Sequence, residues 1–276
     1  MNYRHAYHAG NFADVVKHLA LTAILLHLRR KEAAFAVIDT HAGRGRYDLS
    51  DEKSARTGEA ANGIGKLVDV AAGGALGEYL RLAGRGNSYP GSPLIAAALL
   101  RPQDRLVAVE KHPEEFDALK TALAGTRNAQ AEEADGYARL PALLPPKERR
   151  GVVLIDPPFE SDSEFADQAG ALRIGLRRWA TGIFLLWFPI KSAAGANAFA
   201  GEILNAGAKK AVRIDLDIGA AAHAIGTKTR LTATGLIVVN PPFGFAQEMD
   251  AALTRIAPLL SPQAKSSVRV LADEAG

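Results

Sequence analysis

The chain has 276 residues, of which 48% are hydrophobic and 23% are charged, a balance typical of a folded globular protein. It contains no cysteine, which excludes disulfides, zinc-thiolate sites and iron–sulfur clusters. The formal net charge of +3 is a modest excess that permits a polyanionic partner without requiring one.

The first predicted element is an apolar run at residues 19–28, which contains His27 and is followed by three basic residues. A run this short cannot span a bilayer as a helix, so it predicts a helix packed on the domain. Residues 1–11 lack the apolar stretch of a signal peptide. With no export signal and no membrane anchor, the expected location is the cytoplasm.

Six short runs rich in β-branched and apolar residues predict strands. Five of them are almost continuously apolar, which is typical of strands buried on both faces of a mainly parallel sheet. Alternating strands and helices predict an open, doubly wound α/β sheet. The predicted strands are residues 35–39, 105–110, 152–156, 183–188, 211–218 and 236–240, and the predicted helices include residues 94–100, 114–123, 162–179 and 196–205.

Residues 48–88 interrupt this alternation. They are rich in Gly, Ala and charge, with helix-like pieces near residues 65–71 and 76–82. Because structureless loops of this length are uncommon, the segment predicts a small inserted helical subdomain within a single domain covering residues 1–276. The delayed crossover helix is expected at Ser92 as the N-cap, with Pro93 at the first helical position.

Ligands of an open parallel sheet bind beyond the carboxyl ends of its strands, so the residues that end each strand are informative. The first strand leads into a turn at residues 39–45, where Gly43 and Gly45 permit a tight bend and a close approach to a ligand. The turn lacks the third glycine of the dinucleotide fingerprint, and no helix follows it directly. Alone, it is a weak signal.

Two further strand ends point to an adenosyl cofactor. Glu110 ends the second strand, where a carboxylate can accept hydrogen bonds from both hydroxyls of a ribose; a surface glutamate before a helix is the alternative. Asp135 and Gly136 form a loop that can hold an adenine edge, or an ordinary turn. The glycine-rich turn, the acidic strand end and the Asp-Gly loop occur in this order along the chain. Together they favour an adenosyl cofactor more than any one of them does alone.

Asp156, Pro157, Pro158 and Phe159 follow the buried run at residues 152–155. An amine on an aromatic ring is a poor nucleophile, because its lone pair is delocalised into the ring. A site that methylates it must hydrogen-bond the amine protons and turn the lone pair toward the methyl group. Asp156 supplies a carboxylate oxygen, Pro157 a backbone carbonyl, and Phe159 an aromatic face for an extruded base. A turn stiffened by proline, without function, is the alternative.

A second box, from Asn240 to Phe243, also ends a predicted strand. Chain order separates the two boxes: Asp156 lies one strand-and-helix step after Asp135, where the fourth strand of this fold belongs. Asn240 lies on the last predicted strand and is expected to shape the edge of the sheet. A role in lining the substrate cleft stays open.

Together with several other segments, these residues resemble the RlmJ family, bacterial enzymes that methylate N6 of one adenosine in large-subunit ribosomal RNA. The resemblance runs from Tyr3 to the second box, essentially the whole chain, and is far more specific than the Asp-Pro-Pro-aromatic box alone. The segments are Tyr3-Arg4-His5, His8-Ala9-Gly10-Asn11, Ala13-Asp14-Val15, Lys17-His18, Asp39-Thr40-His41-Ala42-Gly43, Tyr89-Pro90-Gly91-Ser92-Pro93, Asp156-Pro157-Pro158-Phe159-Glu160 and Trp187-Phe188-Pro189-Ile190-Lys191.

The resemblance implies a Rossmann-like S-adenosylmethionine-dependent methyltransferase with Asp156 as its catalytic residue. The implied partner is 23S ribosomal RNA, naked or in early assembly, and the enzyme is expected to be a monomer without a metal. The family usually has tyrosine where this chain has Phe159; stacking survives that change, whereas a hydrogen bond from the hydroxyl is lost. Cofactor contacts are implied for His18, His41, Ser92, Glu110, Asp135, Gly136 and Asp156.

The basic and aromatic N-terminus is predicted to contact RNA phosphate or to close over the target base. Its residues are Tyr3, Arg4, His5 and Lys17. Further basic groups occur at residues 44–46 and 173–178, and ordinary solvated surface charge is the alternative for any of these clusters.

Three other functions fit parts of the pattern. A DNA adenine methyltransferase uses the same chemistry, but the insertion is short for a DNA target-recognition domain and no helix-turn-helix pattern is evident. A protein glutamine methyltransferase typically has Asn first in the box, and Asp156 argues against it. A nucleic-acid-binding module that has lost catalysis is disfavoured by Asp156 and the complete cofactor loop.

Overall fold

The alternating strands and helices assemble, in the computed structural model, around one eight-stranded sheet. The structure describes residues 8–51, 58–84, 86–219 and 231–273. The strands are β1 (Ala36–Asp39), β2 (Arg46–Asp48), β3 (Ser88–Pro90), β4 (Arg105–Glu110), β5 (Ala129–Glu133), β6 (Gly151–Ile155), β7 (Ile183–Pro189), β8 (Ala211–Asp217), β9 (Ala233–Val239) and β10 (Lys265–Ala272).

The helices alternate with these strands. They are α1 (Phe12–Arg29), α2 (Glu59–Asn62), α3 (Gly74–Ala83), α4 (Ser92–Leu99), α5 (Pro113–Leu123), α6 (Gly136–Leu143), α7 (Glu164–Arg178), α8 (Ala193–Asn205) and α9 (Phe245–Leu260), with a 3-10 turn at Ile64–Leu67. Within the described residues, no helix is long and apolar enough to cross a membrane.

The strand order in the sheet is β10-β8-β9-β7-β6-β1-β4-β5. Strands β5, β4, β1, β6 and β7 run parallel, while β9 is antiparallel to both β7 and β8. We call the edge where the parallel strands end the C-terminal edge, and the edge where they begin the N-terminal edge. Because β9 runs the other way, it ends at the N-terminal edge.

The central strands bury both faces, as their continuous apolar runs predict. In β6, Val152 and Leu154 belong to one apolar cluster, whereas Val153 and Ile155 belong to a second. Helices α1, α4, α5 and α9 supply the first cluster, and α6, α7 and α8 supply the second. The predicted doubly wound α/β fold is confirmed.

The segment predicted as an insertion lies between β2 and β3, which pair as an antiparallel hairpin with Tyr47 opposite Tyr89. Its described residues form α2, the 3-10 turn and α3, and α3 packs against α1. Helices therefore occur close to the predicted positions. That they form a subdomain of their own stays a prediction.

Two features of the fold differ from expectation. The N-cap of α4 is Gly91, and the Ser92 hydroxyl donates to Asp39 Oδ2 at 2.6 Å instead of capping the helix. An N-cap serine accepts from a backbone N–H of the first turn, whereas the Ser92 hydroxyl lies inside the helix and donates to a buried carboxylate, so the helix begins one residue earlier than predicted. Strands β5 and β10 were not predicted, because half-exposed strands at the sheet's sides lack the apolar runs of central ones.

Candidate active site

A cavity of about 1310 Å³ lies at the C-terminal edge of the sheet. The strand ends of β1, β4, β5, β6 and β7 contribute to its wall, together with α1 and the start of α4. Tyr3, Arg4 and His5 fall outside the described residues. The other residues predicted from the sequence all line the cavity: Lys17, His18, His41, Ser92, Glu110, Asp135, Gly136, Asp156, Pro157 and Phe159.

Asp156 follows β6 directly and is tied to α1 by a buried ion pair. Lys17 Nζ lies 2.5 Å from Asp156 Oδ2 and 2.8 Å from Asp14 Oδ1. The second oxygen of Asp156, Oδ1, has no hydrogen-bond partner within the part of the chain that the structure describes. One oxygen of the carboxylate is thus fixed by the protein, and the other is available to a ligand.

Lys17 is only 4% exposed, and its charge is balanced by its neighbours. Burial lowers the pKa of the ammonium, but the Asp14 and Asp156 carboxylates outweigh burial and hold that pKa well above its ordinary value. A buried cation with two carboxylate partners is not placed to contact an RNA phosphate, the first of its two predicted roles; that Lys17 helps to close over the target base stays a prediction. The signal for its position was the Asp14-to-Lys17 spacing on a helix, which puts both side chains on one face.

A second carboxylate, Asp39 at the end of β1, lies beneath the same cavity. It is 1% exposed and accepts the hydrogen bond from Ser92. Burial raises the pKa of Asp39 to about 7; the hydrogen bond from Ser92 lowers it and the nearby Asp156 raises it further. Ser92, which the family resemblance implies as a cofactor contact, is therefore already bonded to Asp39.

His41 is held in one orientation by its neighbour. The Thr40 hydroxyl donates to Leu154 O at 2.9 Å, so its oxygen accepts from His41 Nδ1 at 2.8 Å. The proton therefore lies on Nδ1, and Nε2 carries the lone pair. Burial lowers the pKa of His41 to about 4, although Asp156 and Asp135 raise it, so the ring is neutral at pH 7.

His18 lies deeper in the wall of the cavity. It is 1% exposed, and its Nδ1 is 2.8 Å from the Tyr89 hydroxyl, which in turn is 3.0 Å from the Tyr79 hydroxyl. Both tyrosines belong to the segment around α3 and β3. His18 therefore joins α1 to the inserted residues, in addition to any contact that it makes with a ligand.

Glu110 and Asp135 are both anchored to the backbone. Glu110 Oε2 accepts from Gly43 N at 2.8 Å and Oε1 accepts from His112 N at 2.7 Å, so the side chain spans the turn after β1 and the start of α5. Asp135 is the N-cap of α6, accepting from Ala138 N, and its other oxygen accepts from Lys111 Nζ at 2.8 Å. That hydrogen bond from Lys111 lowers the pKa of Asp135.

Phe159 has an unusual backbone and an aromatic environment. Its φ is +51°, a left-handed conformation that costs a bulky residue energy and commonly occurs where function requires it. The ring packs edge-to-face on Phe165 at 4.9 Å and on Trp187 at 5.5 Å between centroids. The partly exposed ring is thereby fixed at the cavity wall.

Sequence reasoning missed several residues of the wall. Tyr137 packs edge-to-face on His41, and its hydroxyl donates to Glu164 Oε2 at 3.0 Å. Burial raises the pKa of Glu164. Trp187 also lines the cavity. Tyr137 could have been found from its position next to Gly136, and Trp187 from its place in the Trp187-to-Lys191 run. Nothing in the sequence distinguishes Glu164 from other glutamates at the start of a helix.

The donors and acceptors of this cavity fit an adenosyl cofactor. Glu110 and Asp135 offer carboxylate oxygens at adjacent strand ends, as a ribose and an adenine require. His112 Nδ1 is buried in the same wall and has no hydrogen-bond partner among the described residues, which leaves it for a ligand. No group of three or more His, Cys, Asp or Glu that could hold a metal occurs in the described ranges.

The second box lies elsewhere. Asn240 follows β9 and therefore sits at the N-terminal edge, opposite the cavity. Its Nδ2 donates to Ala180 O and Gly182 O, each at 2.8 Å. Phe243 is 94% exposed. The expectation that this box shapes the sheet edge agrees with these contacts, and a role in lining the cleft does not.

The fold and site define a Rossmann-like methyltransferase, and S-adenosylmethionine is its methyl donor. Comparison with known sequences then gives the family. The family model described as ribosomal RNA large subunit methyltransferase D, RlmJ, matches residues 32–271. The chain belongs to the RlmJ family.

Individual relatives agree with this assignment. The chain is 36% identical over 269 residues to ribosomal RNA large subunit methyltransferase J of Escherichia coli, covering 95% of each chain. It is 36% identical over 275 residues to the Haemophilus influenzae protein of the same name, covering 97% of this chain and 96% of the other. A crystal structure of a Legionella pneumophila protein superposes with a TM-score of 0.86 at 31% identity, covering 97% and 99%.

Proposed function

We propose that this enzyme transfers a methyl group to N6 of an adenosine in 23S ribosomal RNA, with Asp156 as the catalytic residue. The observation that carries the proposal is the Asp156 carboxylate, fixed on one oxygen by Lys17 and open on the other at the end of a buried strand. Family membership supports the substrate class, since the two curated relatives are named ribosomal RNA methyltransferases.

In this proposal, Asp156 and the carbonyl of Pro157 orient the target amine. An adenine amine has two N–H donors; one can donate to Asp156 Oδ1 and the other to the Pro157 carbonyl, since both residues line the cavity. Accepting both protons favours the pyramidal amine, whose lone pair is no longer delocalised into the ring. S-adenosylmethionine, when bound, supplies an electrophilic methyl group.

The charges beneath the cavity favour this reaction. Asp14, Asp39 and Asp156 surround one ammonium, that of Lys17. Even with Asp39 protonated, the group keeps an excess of one negative charge. That negative charge stabilises the positive charge that develops on the amine as it is methylated. Because the carboxylates are already in position, they do not have to move during the reaction.

The target base must leave its stack to reach Asp156. Phe159 and Trp187 form an aromatic wall on which a purine can stack, and the two rings support each other. The family tyrosine is replaced here by Phe159, so the stacking is retained without a hydroxyl. His41, neutral with its lone pair on Nε2, offers an acceptor on the cofactor side of the cavity.

The cofactor residues proposed are His18, His41, Ser92, Glu110, Asp135, Gly136 and Asp156, all of which line the cavity. Tyr3, Arg4 and His5 are proposed to contact the RNA. The proposal includes a cytoplasmic enzyme that acts as a monomer on naked or early-assembly RNA.

The proposal is tested by single-turnover transfer of a tritiated methyl group to an adenine-containing RNA at saturating cofactor. Asp156→Ala should lower the rate at least about a thousandfold, since each tenfold loss needs only about 1.4 kcal/mol. Nucleoside analysis should find the label in N6-methyladenosine. Asn240→Ala is the matched control.

Calorimetry with S-adenosylmethionine and thermal melting separate lost chemistry from lost binding or folding. A near-normal rate for Asp156→Ala would reject Asp156 as the catalytic residue. Label in DNA or protein, and none in RNA, would reject the substrate.

A further inference from the structure

The N-terminal edge of the sheet, opposite the cavity, concentrates positive charge. Its loops and helix ends contain twelve Lys or Arg and four Asp or Glu, whereas the whole chain has an excess of only three positive charges. The rest of the chain is therefore net negative. The edge comprises residues 29–34, 101–104, 124–128, 145–150, 177–182, 207–210, 240–244 and 272–273.

Hydrogen bonds link neighbouring segments of this edge into one surface. Asn128 Nδ2 donates to Arg101 O and Asp104 O, and the Arg101 guanidinium donates to the carbonyls of Lys31 and Ala33. The segments that precede β5, β4 and β1 are thus in direct contact.

The same continuity extends across the other half of the sheet. Arg150 donates to Ala33 O, and Arg178 donates to Leu144 O. Asn240 contacts the turn before β7 through its side chain and the turn before β8 through its backbone N–H, which donates to Lys210 O. From β8 to β4, the row crosses five strand spacings, about 24 Å.

Part of this charge has a structural role. Arg101, Arg150 and Arg178 donate to carbonyls at the ends of helices, where cations complement the helix dipole. The remaining cations are exposed and extend beyond those ends. They are Arg29, Arg30, Lys31, Arg127, Lys147, Arg149, Arg177, Lys209 and Lys210.

A titratable side chain near the edge responds to this field. His27, on the last turn of α1, has a lowered pKa; burial is the largest cause, followed by the charges of Arg30, Arg150 and Lys31. Arg30, Arg150 and Lys31 therefore lie close enough to His27 to disfavour its protonated form, whereas Glu248 favours it.

An exposed aromatic ring lies within the same row. Phe243 is 94% exposed, on a turn whose first residue, Asn240, contacts the backbone of both flanking turns. Lys209 and Lys210 are on one flanking turn, and Arg177 and Arg178 precede the other. An exposed aromatic ring on a turn flanked by cations can bind single-stranded nucleic acid, with a base stacked on the ring and phosphates beside it.

We propose that the N-terminal edge is a second RNA-binding surface, which holds a part of the substrate RNA distinct from the target adenosine. An extended row of cations matches the regularly spaced phosphates of an RNA backbone. Phe243 stacks an unpaired base of that RNA. The surface and the cavity are separated by the length of a strand, about 17 Å for the five residues of β6. A folded RNA can therefore contact the surface and the cavity at once, whereas a short oligonucleotide cannot.

The test compares the affinity of two RNAs for Lys209→Ala/Lys210→Ala and for Phe243→Ala. One RNA is a folded fragment of 23S ribosomal RNA, and the other is an adenine-containing oligonucleotide too short to span the height of the sheet. For the folded RNA, the double variant should bind about tenfold more weakly, and the slope of log affinity against log salt should fall by up to about two. Phe243→Ala should weaken that binding at least about fivefold without changing the slope.

The matched control is Arg173→Ala/Lys265→Ala, which removes two exposed cations that lie outside the edge. It should leave the affinity for the folded RNA within about twofold. The KM for methylation of the short oligonucleotide, which reports its binding at the cavity, should not change in any variant.

Several results would overturn the proposal. One is an unchanged affinity for the folded RNA, and another is an equal loss for both RNAs. If the double variant lost stability in urea but kept its affinity, the cations would only complement the helix ends. Weaker binding to anionic vesicles with RNA binding intact would indicate a membrane surface instead.

Discussion

Two boxes of nearly the same sequence, Asp156-Pro157-Pro158-Phe159 and Asn240-Pro241-Pro242-Phe243, follow buried strands in this protein. Both contain a residue with a left-handed backbone, Phe159 at φ +51° and Asn240 at φ +53°. The first box lines the cavity, while the second lies at the opposite edge of the sheet. Strand direction separates them, because β9 runs antiparallel to β6 and its carboxyl end points away from the cofactor site.

The first residue of each box has a different partner. The Asp156 carboxylate contacts a buried ammonium and retains an unbonded oxygen. The Asn240 amide donates both its hydrogens to backbone carbonyls. A motif of this kind therefore indicates chemistry only where the topology of the sheet delivers it to the ligand-binding edge. The following predictions test this difference.

The largest effect is expected from removing the charge beside Asp156. Lys17→Met keeps the length of the side chain but leaves the buried Asp14 and the partly buried Asp156 without their cation. Removing one partner of a buried ion pair costs about 3–5 kcal/mol of unfolding free energy, and methylation should be lost with the position of Asp156. Urea unfolding measures the loss of stability, and single-turnover methyl transfer measures the loss of activity.

The control for that substitution is Lys120→Met, at an exposed position on α5. Adding Asp14→Asn to Lys17→Met should restore part of the lost stability, since it removes one of the unpaired charges. If Lys17→Met has the same unfolding free energy as the native protein, the ion pair contributes little to stability. The contacts of Asp156 and Asn240 would then differ less in energy than the structure suggests.

A pH dependence is expected at the cavity that the first box lines, from Asp39 at the end of β1. The pKa of Asp39 is raised to about 7 from an ordinary 3.8. Between those values the folded protein keeps a proton that the unfolded chain releases, so the unfolding free energy falls as pH rises from about 4 to about 7. The total is up to about 4 kcal/mol. Asp39→Asn should remove this slope.

The measurement compares the unfolding free energy of the native protein with that of Asp39→Asn at each pH. This comparison is needed because His41 makes the stability change with pH in the opposite direction from Asp39. Its pKa is lowered to about 4, so its contribution to stability is lost as pH falls through that value. Urea unfolding between about pH 5 and about pH 8 checks the sign, with the exposed Asp117→Asn as control. A gap between native protein and Asp39→Asn that does not change with pH would show that Asp39 is ionised throughout.

Most of the sheet could be predicted from the sequence, because burial on both faces leaves a direct record in apolar runs. Strand β6 and its neighbours β1, β4 and β7 were located within two residues of their observed ends. Strand direction leaves no such record. The run at residues 236–240 is as apolar as a parallel strand, and only the pairing of β9 with β7 shows that it is antiparallel.

The site divides in the same way. Strand-end residues such as Glu110 and Asp156 could be predicted, because the fold brings all carboxyl ends of parallel strands to one edge. The burial of Lys17 could not, since the sequence does not show that α1 lines the cavity or that Lys17 contacts Asp156, 139 positions away. Nor could the pairing of Ser92 with Asp39, which joins residues 53 positions apart.

The two phenylalanines offer a more modest contrast in stability. Phe159→Ala removes a ring that packs on Phe165 and Trp187, and it should lower the unfolding free energy by about 2 kcal/mol. Phe243→Ala removes a ring in solvent and should change the unfolding free energy by less than about 0.5 kcal/mol. Urea unfolding of both variants is the measurement. Equal losses would contradict the packing of Phe159.

The most direct comparison is Asn240→Asp, which makes the two boxes identical in sequence. Aspartate cannot donate, so Ala180 O and Gly182 O lose their hydrogen bonds and face a carboxylate. The unfolding free energy should fall by about 1–2 kcal/mol. Asn240→Gly also loses these hydrogen bonds, but glycine adopts a φ of +53° without strain. The unfolding free energy should therefore fall less in Asn240→Gly than in Asn240→Asp.

No new site should result from Asn240→Asp. A second Asp-Pro-Pro-Phe box at the N-terminal edge would lie away from the cavity that Asp156 lines, and no contact between a lysine side chain and the side chain of Asn240 occurs among the described residues. Single-turnover transfer to a short oligonucleotide should therefore be unchanged in Asn240→Asp, and the double variant Asp156→Ala/Asn240→Asp should be as inactive as Asp156→Ala. Recovery of activity in the double variant would show that the motif, and not its position in the sheet, determines the chemistry.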